Sequence, residues 1–465
     1  MPILPEARIF QPEINLAVNE NIREITLDTL IALDTEHKKS HLYIRDVLLN
    51  YDYLDYRDKA FFKRLTEGTI SYRLTLDYIL DSISSKPMDK CKATVRNLLR
   101  MSAYQLLYME RVPDNAVVDE ACKLCKKKHY EQFVPFVNAI LRKVSKDKEN
   151  LLNFESIEDE CLRLSVKYSC PGWIVKMFKK EQGDAEAILK GLLRVRPTTV
   201  RLVYPEKKDE ILKAWEKDNV RFKPAKYVKD AFYLENFEGI ESVYGFKEGF
   251  FFAQDESSMM AAMATGVSEK DNLTVMDVCA APGGKSMFTA SLMKGKGKVL
   301  SFDVSDSKVS LIRENVSRCH LMNVYPMVAD ASEYHEEFKE KADILICDVP
   351  CSGLGVMARK SDIKYNITNE AMKDICDLQK KILLNAANYL KPGGVLIYST
   401  CTIHKAENEK MVKFILNNLP FKGDSLKPFL PAAFEKERES EFYLQLLPTE
   451  EGTDGFFIAR FVKDR

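Results

Sequence analysis

Two cysteines stand out because each directly follows a short apolar run. Cys351 lies in Asp348-Val-Pro350-Cys351-Ser352-Gly353, and Cys401 in Tyr398-Ser-Thr-Cys401-Thr402. A thiol attacks as its thiolate, which cationic neighbours or a helix N-terminus favour over the ordinary value of roughly 8.5. The apolar spacing of HKAENEKMVKFIL predicts such a helix just after Cys401. A lone cysteine reads most simply as a small core hydrophobe. Two at successive strand ends, with Asp348 shortly before one of them, fit a nucleophile working beside an acid or base.

A second group of residues has the makings of a nucleoside site. The string Asp277-Val-Cys279-Ala280-Ala281-Pro282-Gly283-Gly284-Lys285 is a glycine turn opening a helix. Adjacent glycines let backbone approach a ligand closely, and the helix start offers unpaired N–H groups. The next apolar run ends at Asp303, where a carboxylate can accept the hydroxyls of a ribose, and a third ends at Asp330. Together they point to an adenosine-containing cofactor. The loop lacks the G-x-G-x-x-G of a dinucleotide site. It comes closer to a phosphate-binding P-loop, since Gly284-Lys285-Ser286 fits and Asp348 imitates a magnesium-holding acid, but Cys279 stands where that motif needs glycine. A P-loop leaves the cysteines unexplained, as does a turn that only reverses the chain.

These residues need elements to hold them. At roughly 100–200 residues per domain, 465 residues imply several domains, and 46% hydrophobic with 30% charged residues is ordinary for globular chains. We read residues 1–20 as a tail, 21–148 as an all-α bundle, 149–160 as a charged linker and 161–250 as a small α+β domain. Residues 251–465 read as an α/β Rossmann-like domain. In that last segment LTVMDVCA, GKVLSFDVS, NVYPMVAD, ADILICDVP and GGVLIYSTC alternate with helical stretches, which predicts a parallel, doubly wound sheet. Such sheets bind ligands at the carboxyl ends of their strands.

Eleven irregularly spaced cysteines read as reduced thiols, and no apolar run reaches a membrane span of roughly 18 residues, so a cytoplasmic protein without membrane contact is expected. Cys122-x-x-Cys125 with His129 lacks a fourth ligand, so no metal is expected there. Trp173 and Trp215 read as core residues. Arg359-Lys360 and Lys364 read equally well as phosphate contacts or as a solvated loop. The 69 basic and 69 acidic residues cancel, which argues against a nucleic-acid partner until position is considered. Residues 86–148 carry 14 basic against 7 acidic residues, and 190–229 carry 12 against 5. Residues 301–350 offset them with 10 acidic against 5 basic. Phosphate contacts are therefore expected outside the doubly wound domain.

The strings DVCAAPGGK, DVPCSGLG, YSTCTIHKAENE and LQLLPTEEGTDGFFIARF, spanning about 255 to 462, resemble the RNA cytosine-C5 methyltransferases that use S-adenosylmethionine. RNLLRMSAYQLLYMERVPDNAVVDEA and FVNAILRKV resemble the NusB-like RNA-binding domain. The fusion is similar to the bacterial 16S ribosomal RNA (cytosine-C5)-methyltransferases of the Sun/RsmB group. That resemblance implies a 16S ribosomal RNA substrate, free or in a partly assembled small subunit, and a monomeric enzyme. It further implies that Cys401 is the nucleophile adding to cytosine C6, that Cys351 assists release, and that Asp348 faces the N3/N4 edge of the base and helps hold the cofactor. Residues 279–285 would cradle the cofactor, with Asp303 on the ribose and Asp330 near the adenine. Lys285 would reach the substrate or orient Asp348. DNA methyltransferases use a Pro-Cys nucleophile, so the residues alone also permit the reverse assignment of the two cysteines.

Overall fold

The computed structural model describes residues 21–36, 38–269, 272–434, 440–449 and 453–465, and the expected tail at 1–20 lies outside the described residues. The chain divides after Leu152 into two units. In the first, helical apolar spacing produces helices as expected. They include Ile22–Glu36, Tyr56–Ser71, Asp114–Lys127 and Val134–Lys146, which pack with the helix Ala93–Tyr108 at the centre. That central helix buries residues on nearly every side, so it also buries charge. Arg100 donates to both oxygens of Asp77 at 2.6 Å, and Arg96 pairs with Asp34. Pairing of this kind is the condition for holding charge inside a core.

The second unit opens with three helices, Glu160–Lys167, Gly172–Gln182 and Ala185–Leu193. A small antiparallel sheet follows, of strands β1 (Thr198–Leu202), β2 (Arg221–Pro224), β3 (Ala231–Glu235) and β4 (Phe251–Ala253), in the order β2-β3-β1-β4. Trp215 fills its core against Phe222, Phe232 and Phe251 and donates its indole N–H to Tyr244 O at 2.9 Å, a core role as expected.

The large sheet contains β5 (Thr274–Asp277), β6 (Lys298–Asp303), β7 (Val324–Val328), β8 (Ala342–Asp348), β9 (Leu390–Thr400), β10 (Phe421–Gly423), β11 (Tyr443–Leu446) and β12 (Phe456–Lys463). Its order is β10-β12-β9-β8-β5-β6-β7, with β11 also paired to β12. Strands β5 to β9 are parallel, as the alternation of strands and helices predicts. The terminal strands are antiparallel, because β12 lies against β9 and carries β10 and β11 as hairpin-like partners, making the sheet mixed. The chain runs outward from β5 through β6 and β7, then returns to β8 on the other side of β5. The strand order therefore reverses between β5 and β8, and loops leaving these two strands part to form a crevice.

Two glycines fix how the terminal strands meet that crevice. Gly455 N–H donates to Gly355 O at 2.9 Å, while Gly355 N–H donates to Cys401 O at 3.1 Å. A Cβ on Gly355 would sit 2.1 Å from the Gly455 carbonyl oxygen, against backbone that has nowhere to go. We expect Gly355→Ala to lower the stability of the second unit by about 1–3 kcal/mol through overpacking. Chemical denaturation followed by tryptophan fluorescence measures this directly, as both tryptophans belong to that unit; an unchanged midpoint would contradict the close contact.

Candidate active site

The crevice collects every residue singled out at the strand ends. After β5, Gly283 adopts φ +103°, and a Cβ there would meet Ile312 at 3.2 Å, so the turn into the helix Gly284–Leu292 favours glycine both conformationally and sterically. Asp277 is buried at the end of β5, with Ser286 Oγ donating to Oδ2 at 2.7 Å, and burial pushes its carboxyl up to about 7. The Cys279 thiol is likewise pushed up by burial, which suits a packed wall rather than a nucleophile.

Asp303, at the end of β6, accepts from Ala281 N–H at 2.9 Å, Val304 N–H at 2.8 Å and Lys308 Nζ at 2.9 Å. A carboxylate has about four acceptor positions, so capacity remains for a further hydroxyl. Beside it, Val304 and Val328 leave 53% and 50% of their surface exposed, an apolar flank on which a planar base can rest. Asp330 is half-buried just beyond β7 and accepts from Ser332 N–H at 2.8 Å. Backbone amides, an acceptor carboxylate and an apolar flank fit an adenosine-containing group.

The thiols meet because β8 and β9 are neighbours, with Asp348 opposite Ser399 in the register. Cys351 Sγ and Cys401 Sγ lie 3.0 Å apart as free thiols, and Cys401 N–H donates to Cys351 Sγ at 3.3 Å. At that spacing they share a proton, and the surrounding charges decide where it rests. Cys351 is hydrogen-bonded by Cys401, buried, and faces Glu407 and Asp348, all of which drive its thiol well up. Cys401 receives the bond from Cys351, and Lys360 and Lys285 add positive charge, which outweighs burial and Asp348 and lowers its thiol. The backbone N–H on Cys351 pulls the other way but is one neutral dipole against two cations. Of the two, Cys401 is the thiol that gives up its proton more readily.

The expected helix-terminus effect on Cys401 needs correction. The following helix is Glu409–Asn418, so seven residues separate its start from Cys401, and a macrodipole fades within about one turn. Lysines and the partner thiol supply the effect instead. Lys285 Nζ lies 2.6 Å from Asp348 Oδ2 and 5.3 Å from the centre of the Phe456 ring, while Ser399 Oγ donates to Asp348 Oδ1 at 2.7 Å. This ion pair fits the reading in which Lys285 orients Asp348.

Arg359, at an exposed position, lies with Nε 2.5 Å from Asp454 Oδ2 and Nη2 3.0 Å from Asp255 Oδ2; Lys364 is buried, and Lys360 is exposed. The sequence reading missed Glu407, Asn408 and Gln379, all fully buried around the cysteine loops. The available signal was weak: two polar residues directly before an apolar helical run. Nearby, Glu181 holds His404 Nδ1 at 3.0 Å and Lys405 N–H at 2.9 Å, and Gln182 donates to Ile403 O at 2.7 Å, so the helix Gly172–Gln182 braces the loop that leaves Cys401.

Comparison with known proteins agrees with this arrangement. Residues 264–462 match the family model described as 16S rRNA methyltransferase RsmB/F, and residues 20–146 match the NusB family. The chain is 36% identical to the probable ribosomal RNA small subunit methyltransferase B of Bacillus subtilis, over 95% of this chain and 99% of that protein. It is 28% identical to the ribosomal RNA small subunit methyltransferase B of Shewanella oneidensis, over 88% and 91% of the two chains. A solved methyltransferase homolog from Pyrococcus horikoshii superposes with a TM-score of 0.55 at 27% identity, covering 66% of this chain and all of that one. With its thiol pair and nucleoside crevice carried on this fold, and with likeness to such relatives along nearly its whole length, the chain belongs to the RsmB/F family of 16S rRNA methyltransferases.

Proposed function

We propose that this protein methylates C5 of one cytosine in 16S ribosomal RNA, using S-adenosylmethionine and a covalent adduct between Cys401 and cytosine C6. The single observation that carries this reading is the 3.0 Å thiol pair beside the Lys285–Asp348 ion pair at adjacent strand ends. When bound, the cofactor supplies an electrophilic methyl group. Residues 279–285 and Asp303 would hold it, with Asp330 near its adenine and Asp348 near its methionine end. The protein acts as a cytoplasmic monomer, on RNA that is free or within a partly assembled small subunit.

Cytosine C5 is a poor nucleophile, and the chain's residues answer that difficulty. The Cys401 sulfur forms a bond to C6 and pushes the electron pair of the C5–C6 double bond toward C5. Asp348, steadied by Lys285 and Ser399, faces the N3/N4 edge, where the proton that the Lys285–Asp348 pair shares can pass through the carboxyl to N3 as electron density rises there. After methylation the C5 proton passes to water, and the C5–H electron pair re-forms the C5–C6 double bond. The S–C6 bond breaks with its pair leaving on the Cys401 sulfur, and N3 returns its proton to the Lys285–Asp348 pair. Cys351, held protonated beside Cys401, is placed to protonate the departing sulfur. Such chemistry requires the base to be unstacked into the crevice.

The basic excess in residues 86–148 is smaller at the surface than in the count. Arg96, Arg100, Lys123, Lys127, Lys128 and Lys148 are tied to carboxylates. In 190–229, Arg201 is fully buried. Exposed Arg111, Lys126 and Lys146 are better placed to meet phosphates.

Incubating the protein with labelled S-adenosylmethionine and small-subunit RNA, followed by bisulfite sequencing, should reveal one protected cytosine. Tight ATP-Mg²⁺ binding without S-adenosylmethionine binding would overturn the proposal. Cys351→Ala should accumulate a protein–RNA adduct that survives a denaturing gel, and Cys401→Ala should not; the opposite pattern would reverse the two roles. Reversing charge at Arg111, Lys126 and Lys146 together should weaken RNA binding about tenfold or more at fixed salt and flatten its salt dependence. The rate at saturating RNA should be preserved, and an unchanged affinity would place the phosphate contacts elsewhere.

A further inference from the structure

The two residues between the Cys401 loop and the following helix are fully buried, polar, and bonded to both flanks of both cysteines. Glu407 Oε2 accepts from Ser352 N–H at 2.9 Å and Oε1 from Ser352 Oγ at 2.5 Å. On the other side of Cys351, Gln379 Nε2 donates both to Glu407 Oε2 at 3.1 Å and to Pro350 O at 2.8 Å. Pro350 and Ser352, the neighbours of Cys351, are thus held by one carboxylate, directly and through one amide. Asn408 does the same for Cys401. Its Oδ1 accepts from Thr400 Oγ1 at 2.7 Å, and its Nδ2 donates to Thr402 O at 3.1 Å. Asn408 is itself fixed by Gln445 Oε1 at 2.7 Å, which belongs to β11. The two grips are joined where Ser352 Oγ meets Thr402 Oγ1 at 2.8 Å.

We propose that Glu407 and Asn408 are paired positioning residues, Glu407 setting the releasing cysteine Cys351 and Asn408 setting the nucleophile Cys401, so that the sulfurs face one another at 3.0 Å. This rests on the cysteine roles given under Proposed function. Because the two residues are adjacent in the chain, movement of either loop is transmitted to the other within one peptide unit. Glu407 has a second effect. The Ser352 hydroxyl, Ser352 N–H and Gln379 amide all donate to it, and Ser352 can donate only if Thr402 donates to Ser352, so the hydrogen bonds converge on a carboxylate. Burial pushes its carboxyl up while these donors and His404 oppose the shift. The other titratable groups facing it are Tyr398, Cys376 and Cys351. When ionised, Glu407 holds the shared proton on Cys351, while Lys285 and Lys360 face Cys401.

The two grips predict different defects. With RNA and S-adenosylmethionine, Glu407→Gln should accumulate the covalent protein–RNA adduct, as Cys351→Ala does. Asn408→Ala should form no adduct, as Cys401→Ala does, with the KM for RNA unchanged and kcat down about tenfold or more. A second readout needs neither RNA nor cofactor: alkylation of the full chain across pH, resolved by mass spectrometry. Cys351 should become alkylatable about tenfold faster at neutral pH in Glu407→Gln, since losing the neighbouring charge releases its proton. If Glu407→Gln does not fold, Gln379→Ala and Ser352→Ala each remove two side-chain bonds of the same grip and should show the same adduct. Folded variants that lose activity with no adduct from Glu407→Gln and no change in alkylation order would overturn the proposal. Failure of Cys351→Ala itself to form adduct would instead overturn the cysteine roles on which it rests.

Discussion

Parallel pairing of β8 with β9, with Asp348 opposite Ser399, is the constraint on which the site depends. Neighbouring strands lie about 4.8 Å apart, so chains leaving their carboxyl ends side by side are held within side-chain reach. That spacing brings together two thiols 50 residues apart in sequence, at 3.0 Å. The reversal of strand order at β5 and β8 then opens the crevice beside them, and the glycine turn after β5 supplies its backbone wall. Antiparallel β12 completes the arrangement by placing Gly455 against Gly355 and Phe456 beside Lys285.

Holding reactive groups in so dry a place requires compensation for each charge. Lys285 is 9% exposed and Asp348 only partly covered, and an unpaired ion at such depth costs several kcal/mol. Their mutual bond offsets that cost and leaves one cation facing Cys401. The same economy appears at Glu407, which has hydrogen-bond donors but, among the described residues, no cation within bonding distance, and at Arg359, whose two carboxylate partners join the loop after the Pro-Cys turn to residues from both ends of the domain. Charge in this unit is mostly spent on orientation. Some of the formal basicity of the two accessory segments is also internal, at Arg100 and Arg201, and some is paired with carboxylates, which is why a residue count overstates the charge available to phosphate.

The three helices from Glu160 to Leu193 have a clear part in this arrangement. Their apolar faces share one cluster with Leu354, Met357 and Ile403, which lie next to the cysteine loops. Glu181 and Gln182 add polar bonds to the loop that carries His404. What the sequence presents as part of a small accessory domain is, at this end, packing support for the loops that carry the two cysteines.

Short-range pattern made the strands and helices legible, since apolar periodicity is local, and the strand-end positions of Cys279, Asp303, Asp330, Asp348, Cys351 and Cys401 followed from it. Motif resemblance supplied the family. The antiparallel placement of β12, the 3.0 Å contact between thiols, the ion pair of Lys285 with Asp348, and the burial of Glu407 and Asn408 were not legible. Arg359 read equally as a phosphate contact or part of a solvated loop, and its two ion pairs were not legible either. Each of these depends on which distant segments become neighbours, and a thiol's proton affinity depends on the charges around it. Residue type and spacing determine what chemistry is available; only tertiary packing sets the distances at which Coulomb attraction and hydrogen bonding decide which group performs it.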